Sequence, residues 1–472
     1  MSALVETDPD VRAMFAADAS GLRYLPDGVA RPESVEEVTE VVKRAASART
    51  PVTPAGMQTS TTGASITERG ILLSLRGLTP LIDVDRDART VRTSAGAILG
   101  EVKRAVAAEG LLFAPDPTSE EESTVGGAIA CNASGARTLK YGATREHVRA
   151  VTVVLASGEV VRYSRVGLEK NTAGYAFAHD PVDWFVGSEG TLGVVVEAEL
   201  ELLPLPERVI GLEIPFANEA EALAFVVAAR ESRAVAPRCL EYFDQLAVGI
   251  ARGAETSRGS SGHSASLVPA AGTMVYVEQE LAEAAAGVSS GADYDAALDG
   301  WLALAESRQA RVDDVRVFDG EQALAVARRI RHAVPATMNE RGAGQRASGG
   351  RKVSTDWAVP YRRLNEALSA SREMARQAGV SQAVTYGHAG NGHPHQNWVA
   401  RDSEELEAIE RVVEQTLRMV VKMGGTVSAE HGIGKLKTHW LPLQMSPLAF
   451  RVMRAVKQEL DPLGILAPGN IF

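Results

Sequence analysis

Val35, Val38, Val41, Val42 and Ala45 recur at intervals of three and four, which predicts a helix over 35–49 with one apolar face, capped by Ser34 ahead of Val35 and Glu36. The following stretch, PVTPAGMQTSTTGA, loses this period and is rich in Gly, Ser and Thr, so it predicts a loop. The run ILLSL after it has strand character, giving a β-α-β-like order. GEVKRAVAAEG at 100–110 predicts a second helix, ended by Gly110. Alternation at Val151, Val153 and Leu155 predicts a strand before the turn signal Ser157-Gly158.

From about residue 206 the texture changes: the prolines of LLPLPERV mark a boundary, and Ala-rich helical stretches follow in NEAEALAFVVAARES and AALDGWLALAESRQ. The Gly- and Ser-rich segment 251–272 lacks any period and predicts a loop or a poorly ordered insertion. Residues 424–472 hold a Gly-rich turn, a helix near 446–459 and the ending DPLGILAPGNIF, and no internal repeat runs through the chain.

A chain of 472 residues predicts two or three packed units. With 45% hydrophobic and 23% charged residues and no long apolar run, it reads as a soluble protein with no transmembrane segment. The first residues carry acids where a leader would carry basic residues, so the expected location is cytoplasmic, with peripheral attachment to a membrane left open. A net charge of −11 without a basic stripe argues against nucleic acid as a partner. Cys131 and Cys239 are too few for a disulfide framework or an iron-sulfur cluster, so a metal here must be held by His and carboxylate.

GMQTSTTG at 56–63 offers backbone amides unhindered by bulky side chains, together with hydroxyls, as a pyrophosphate requires. Two further glycine-rich runs follow, STVGGAIACNASGARTLKYGATREHV at 123–148 and FVGSEGTLGVVVEAEL, and three such runs ahead of one boundary point to one long ligand. These segments resemble the FAD-binding domain of the vanillyl-alcohol oxidase type of flavoprotein. The resemblance implies FAD contacts from Gly56, Gln58, Thr59, Ser60, Pro117, Gly126, Gly127, Asn132, Ser134, Gly135, Gly190 and Val194. Met57 stands where relatives usually have a second glycine, and the first loop has no His to tether the flavin, so non-covalent FAD is expected.

YGHAGNGHPHQNW sets His388, His393 and His395 within eight residues, and GGTVSAEHGIGK supplies Glu430 and His431 on a second Gly-flanked turn. Imidazoles with a carboxylate form a ligand set for a divalent metal, Zn first, with Mn or Fe as alternatives. Both segments resemble the C-terminal signature of D-lactate and D-2-hydroxyglutarate dehydrogenases and of the D-subunit of glycolate oxidase. That resemblance implies His388, His395 and Glu430 as metal ligands and His431 as base. Asn391 and His393 depart from the GDGN form of the loop; His393 is placed among the substrate contacts, with a role as fourth ligand, or no role in the site, left open. Arg331, and with it Lys352, is the expected anchor for a substrate carboxylate. At the C-terminus, Ala467 and Asn470 replace the usual Asn and Lys.

The implied fold is α+β: a two-subdomain FAD-binding domain over 1–206, a mixed α/β cap domain for substrate over 207–425, and a segment 426–472 that returns to the flavin and metal. The implied reaction is oxidation of a small anionic D-2-hydroxy acid, D-lactate-like. A metal would chelate the substrate and lower its hydroxyl pKa, His431 would take the proton, and hydride would pass to flavin N5. Electrons would leave to a quinone, a cytochrome, another flavoprotein or O₂, and a homodimer is a further expectation. Rival readings are an oxidase of the same fold, a non-catalytic FAD-binding subunit and an alkylglycerone-phosphate synthase; the His and Glu set argues for a competent active site.

Overall fold

The computed structural model describes residues 4–256, 272–281 and 290–472, which divide into two compact units. The first comprises Met1–Gly135, Gly142–Leu205 and Glu430–Phe472, and the second Ala136–Tyr141 with Pro206–Ala429.

In the first unit the helix Val35–Ala48 buries Val38, Val41, Val42 and Ala45, and Ser34 Oγ accepts from the Glu37 amide at 3.2 Å. It connects strands of a four-stranded sheet in which Gly28–Ala30, Ile71–Ser74 and Val52–Ala55 run parallel, with Val5–Glu6 antiparallel at one edge. Gly28–Ala30 and Ile71–Ser74 are buried throughout, as strands covered on both faces must be. A second, antiparallel sheet takes the order Ile82–Asp85, Thr90–Ser94, Val194–Glu201, Val148–Val154, Val160–Ser164. The C-terminus returns to the first sheet: the Val52 amide donates to Ile465 at 2.7 Å and the Ala467 amide to Val52 at 2.8 Å. One apolar core, including Val42, Leu73, Val151, Phe185, Val196 and Leu466, joins these elements.

The second unit is built on a seven-stranded antiparallel sheet, ordered Arg316–Asp319, Val209–Phe216, Thr273–Glu280, Pro237–Phe243, Val384–His388, His393–Val399, Lys352–Ser354. Helices Gln245–Thr256 and Glu321–Ala343 share a core with it through Cys239, Phe243, Ala247, Met274, Tyr276, Leu324, Val334 and Tyr386. The expected loop at 251–272 is corrected in part. Residues 251–256 continue the helix, because Ala247, Val248, Ile250 and Ala251 hold its apolar face in the core. The rest of that segment, 257–271, lies outside the described residues. Among the described residues no helix is long and apolar enough to cross a membrane.

Candidate active site

In the first unit the three glycine runs and the turn after Glu430 interlock through main-chain groups. The Gly187 and Glu189 amides donate to Ile129 and Ala130, at the end of the helix Val125–Cys131. Thr124 caps that helix by accepting from the Gly127 amide at 3.1 Å, and a Cβ on Gly56 would stand 2.3 Å from the same Thr124 oxygen, so the first loop must be glycine where it passes. Gln58, at φ +57°, donates its side-chain amide to the carbonyls of Phe15 and Ser65, and Ser60 Oγ accepts from the Thr62 and Ala64 amides. These side chains fix the course of the loop. The backbone amides of Met57, Gln58, Thr59 and Ser60 meet no protein acceptor among the described residues, which leaves a row of donors suited to a pyrophosphate.

Other expected FAD contacts serve the same frame. Gly126 donates to Ala95 at 2.9 Å, and Pro117 accepts from the Glu120 amide. Asn132, in the left-handed conformation at the helix end, accepts from the Arg145 amide at 2.8 Å. Gly135 passes so close to Asp116 that a Cβ would lie 2.3 Å from its carbonyl oxygen. Gly190, at φ +75°, packs on the Pro54 ring, and Val194 is a core residue opening the strand Val194–Glu201. Ser134 donates to Glu430 at 3.2 Å, and Thr62 donates to the His431 carbonyl at 3.3 Å. Lys435 donates to Asn470 Oδ1 at 2.6 Å and to the Gly63 carbonyl; burial lowers its pKa to about 8, with Asp18 and Glu189 pulling the other way.

In the second unit strand register assembles the histidines. His388 stands opposite His393, and Tyr386 opposite His395, across the strands Val384–His388 and His393–Val399. Paired residues of an antiparallel ladder project from the same face, so the three imidazoles converge. Their ring centroids are 4.5–5.4 Å apart, and one ligand atom from each lies within 4.8 Å of the others. The turn between them depends on Gly392 at φ +69°, where a Cβ would lie 1.9 Å from the Val359 carbonyl oxygen.

The adjacent strand, Pro237–Phe243, pairs Tyr242 with Gly387 and Phe243 with Tyr386; continued by one residue, this register sets Glu241 beside His388. Glu241 is 1% exposed and its Oε1 lies 2.6 Å from His388 Nδ1. A carboxylate can only accept, so the imidazole proton sits on Nδ1 and Nε2 keeps its lone pair. The other carboxylate oxygen pairs with Arg331 Nε at 2.8 Å. Arg328 and Arg331 therefore turn inward from the helix Glu321–Ala343, while Arg329 stays exposed. Lys352 donates to Asn339 at 2.7 Å, and burial lowers its pKa to about 8. The donor set fits a borderline divalent ion: clustered imidazoles, one with a buried carboxylate behind it.

Two family descriptions match the chain: FAD binding domain over residues 26–164, and FAD linked oxidases, C-terminal domain, over residues 205–471. The chain belongs to the FAD-linked oxidase family. The glycolate oxidase subunit GlcD of Bacillus subtilis is 30% identical, covering 98% of this chain and 92% of that protein. A D-lactate dehydrogenase of Anaerostipes hadrus is 32% identical, covering 94% of this chain and 90% of that one. A solved structure of alkyldihydroxyacetonephosphate synthase shares the fold, with a TM-score of 0.71 at 18% identity over 99% of this chain and 84% of that chain. The vanillyl-alcohol oxidase type expected from the glycine loops is thereby borne out, as is the α+β architecture.

Sequence reasoning on this FAD-linked oxidase passed over several residues that the structure brings forward. Glu241 is one; the signal was an acid inside the otherwise apolar strand sequence CLEYF. Glu189, at φ +51°, accepts from the Ile433 and Gly434 amides at 2.6 Å each and so fixes the turn after His431; burial still raises its pKa, against those two bonds. A third group is Glu278, which receives Arg238 at 2.7 Å, Arg328 at 3.1 Å and Tyr276 at 2.7 Å. Burial alone would raise the pKa of Glu278, but Arg238 and Arg328 hold it well below the usual carboxylate range.

Proposed function

We propose that this protein is a D-2-hydroxy acid dehydrogenase that oxidises a small D-lactate-like anion to the 2-oxo acid. The observation that carries this reading is one carboxylate, Glu241, shared by an imidazole of the histidine cluster and the guanidinium of Arg331. It sets the histidine cluster beside a cation able to take a carboxylate, which supports the two functions that binding a 2-hydroxy acid requires, metal ligation and carboxylate anchoring.

His388 and His395, with Glu430 as carboxylate ligand, would hold a divalent ion, zinc first by ligand type. When bound, non-covalent FAD supplies the hydride acceptor and the ion supplies Lewis acidity at the substrate hydroxyl. Arg331 anchors the substrate carboxylate, assisted by Lys352. His431 takes the hydroxyl proton, with its backbone held by Thr62 and its turn by Glu189. The amides of residues 57–60 receive the FAD pyrophosphate, and electrons leave to a quinone, a cytochrome or another flavoprotein. Names carried by relatives, a D-lactate dehydrogenase and a glycolate oxidase subunit, support the substrate class.

The test is steady-state reduction of an artificial electron acceptor by D-lactate, L-lactate, glycolate and D-2-hydroxyglutarate, with the 2-oxo product identified. Turnover of a D-acid with little or none of its L-enantiomer is expected; equal rates on both enantiomers, or on neither, would refute the reading.

A further inference from the structure

Three imidazoles, not two, converge on the sheet face of the second unit, and the third has its own carboxylate support. His393 is directly opposite His388 in the ladder and is 3% exposed. Its ring lies 4.5 Å from that of His395 and 5.4 Å from that of His388, centroid to centroid. Behind it, Asp356 is also 3% exposed, and its Oδ1 is 3.2 Å from His393 Nε2. Asp356 is itself fixed: Ser428 Oγ donates to its other carboxylate oxygen at 2.8 Å, and the Ala429 amide donates to its carbonyl.

This arrangement repeats the Glu241 and His388 pair on a neighbouring strand. In each pair a buried carboxylate, held by a second donor, faces one ring nitrogen of a buried imidazole. The Asp356 carboxylate holds the His393 ring by charge at 3.2 Å from Nε2, without the alignment of a hydrogen bond. Two imidazoles backed by carboxylates, with a third beside them, match the outer partners that metal-ligating histidines use. A substrate contact from His393 would require a polar ring edge exposed to a ligand, whereas this ring is enclosed by two imidazoles and an acid.

We infer that His393 is a third imidazole ligand of the divalent ion, oriented by Asp356, so that this chain binds its metal through His388, His393 and His395. The inference rests on the proposed metal site and adds a ligand to it. A third imidazole added to the ligand set shifts preference towards zinc, cobalt and iron(II) and away from manganese and magnesium.

The experiment starts from purified holoenzyme stripped with a chelator and titrated with Zn²⁺ and with Co²⁺ against a chromophoric competitor. X-ray absorption at the zinc edge then counts the imidazoles on the reloaded protein. The wild type is expected to fit three imidazoles. His393→Asn is expected to lose at least about 100-fold in Zn²⁺ affinity, beyond the ~10–100-fold typical of losing an outer partner, and to change the visible spectrum of bound Co²⁺. FAD content and thermal unfolding report whether the variant is folded; if it is not, His393→Gln and the wild-type imidazole count decide. A wild-type site with two imidazoles, or a folded His393→Asn variant with unchanged metal affinity and Co²⁺ spectrum, would overturn the assignment while leaving the proposed reaction intact. A wild type that binds no divalent metal would sink both.

Discussion

Glu241 Oε1 lies 2.6 Å from His388 Nδ1, and its other oxygen pairs with Arg331 Nε at 2.8 Å, so one buried carboxylate orients two groups of different function. Glu241→Gln keeps the size but removes the charge, and a single amide oxygen cannot accept from both partners. Metal affinity, measured by competition with a chelator, should fall by about 10–100-fold. KM for the hydroxy acid should rise as Arg331 is released from its partner. Wild-type values for both would show that Glu241 supports neither group.

Glu189 closes the turn that follows His431 by accepting two amide bonds of 2.6 Å. Glu189→Ala leaves the Ile433 and Gly434 amides without that acceptor, at a cost of about 2–4 kcal/mol from typical values for buried donors. Unfolding of the FAD-loaded enzyme should shift accordingly and turnover should fall, since the loosened turn carries the proposed base. Stability within about 0.5 kcal/mol of wild type, the usual range for an inert surface change, would contradict this role.

Asp244 accepts from the Ala247 and Thr385 amides, yet burial raises its pKa from 3.8 to about 6 against those bonds. The folded state then holds the proton more tightly than the unfolded chain. This contribution to stability is fully present below pH 3.8 and is lost as the pH rises through about 6. Asp244→Asn cannot titrate. Its unfolding free energy relative to wild type should improve by about 2 kcal/mol between pH 4 and pH 7, apart from a pH-independent loss for the weakened Thr385 bond. A pH-independent difference between the two proteins would contradict the shift.

Features written in short-range pattern were legible in the sequence. The helix Val35–Ala48 with its Ser34 cap follows from a three-and-four period, and the crowding of His388, His393 and His395 into eight residues is plain in the sequence, although the two paired strands that carry them were not predicted. Features that depend on register were not. Glu241 and His388 are 147 positions apart and meet only because Tyr242 pairs with Gly387; Asp356 reaches His393 across a different strand. Arg328 and Arg331 look like a solvated helix face until Glu278 and Glu241 are placed inside the sheet opposite them. The apolar content of Leu246 to Ala251 carried a helix past the point where glycine and serine begin to dominate.

The central claim, metal-assisted oxidation of a D-2-hydroxy acid, is tested most directly by anaerobic bleaching of the bound flavin. D-lactate should bleach it within seconds, a chelator should abolish the bleaching, and added Zn²⁺ or Co²⁺ should restore it. A flavin that no D-2-hydroxy acid reduces, or that is reduced equally well after the metal has been stripped, would contradict the account.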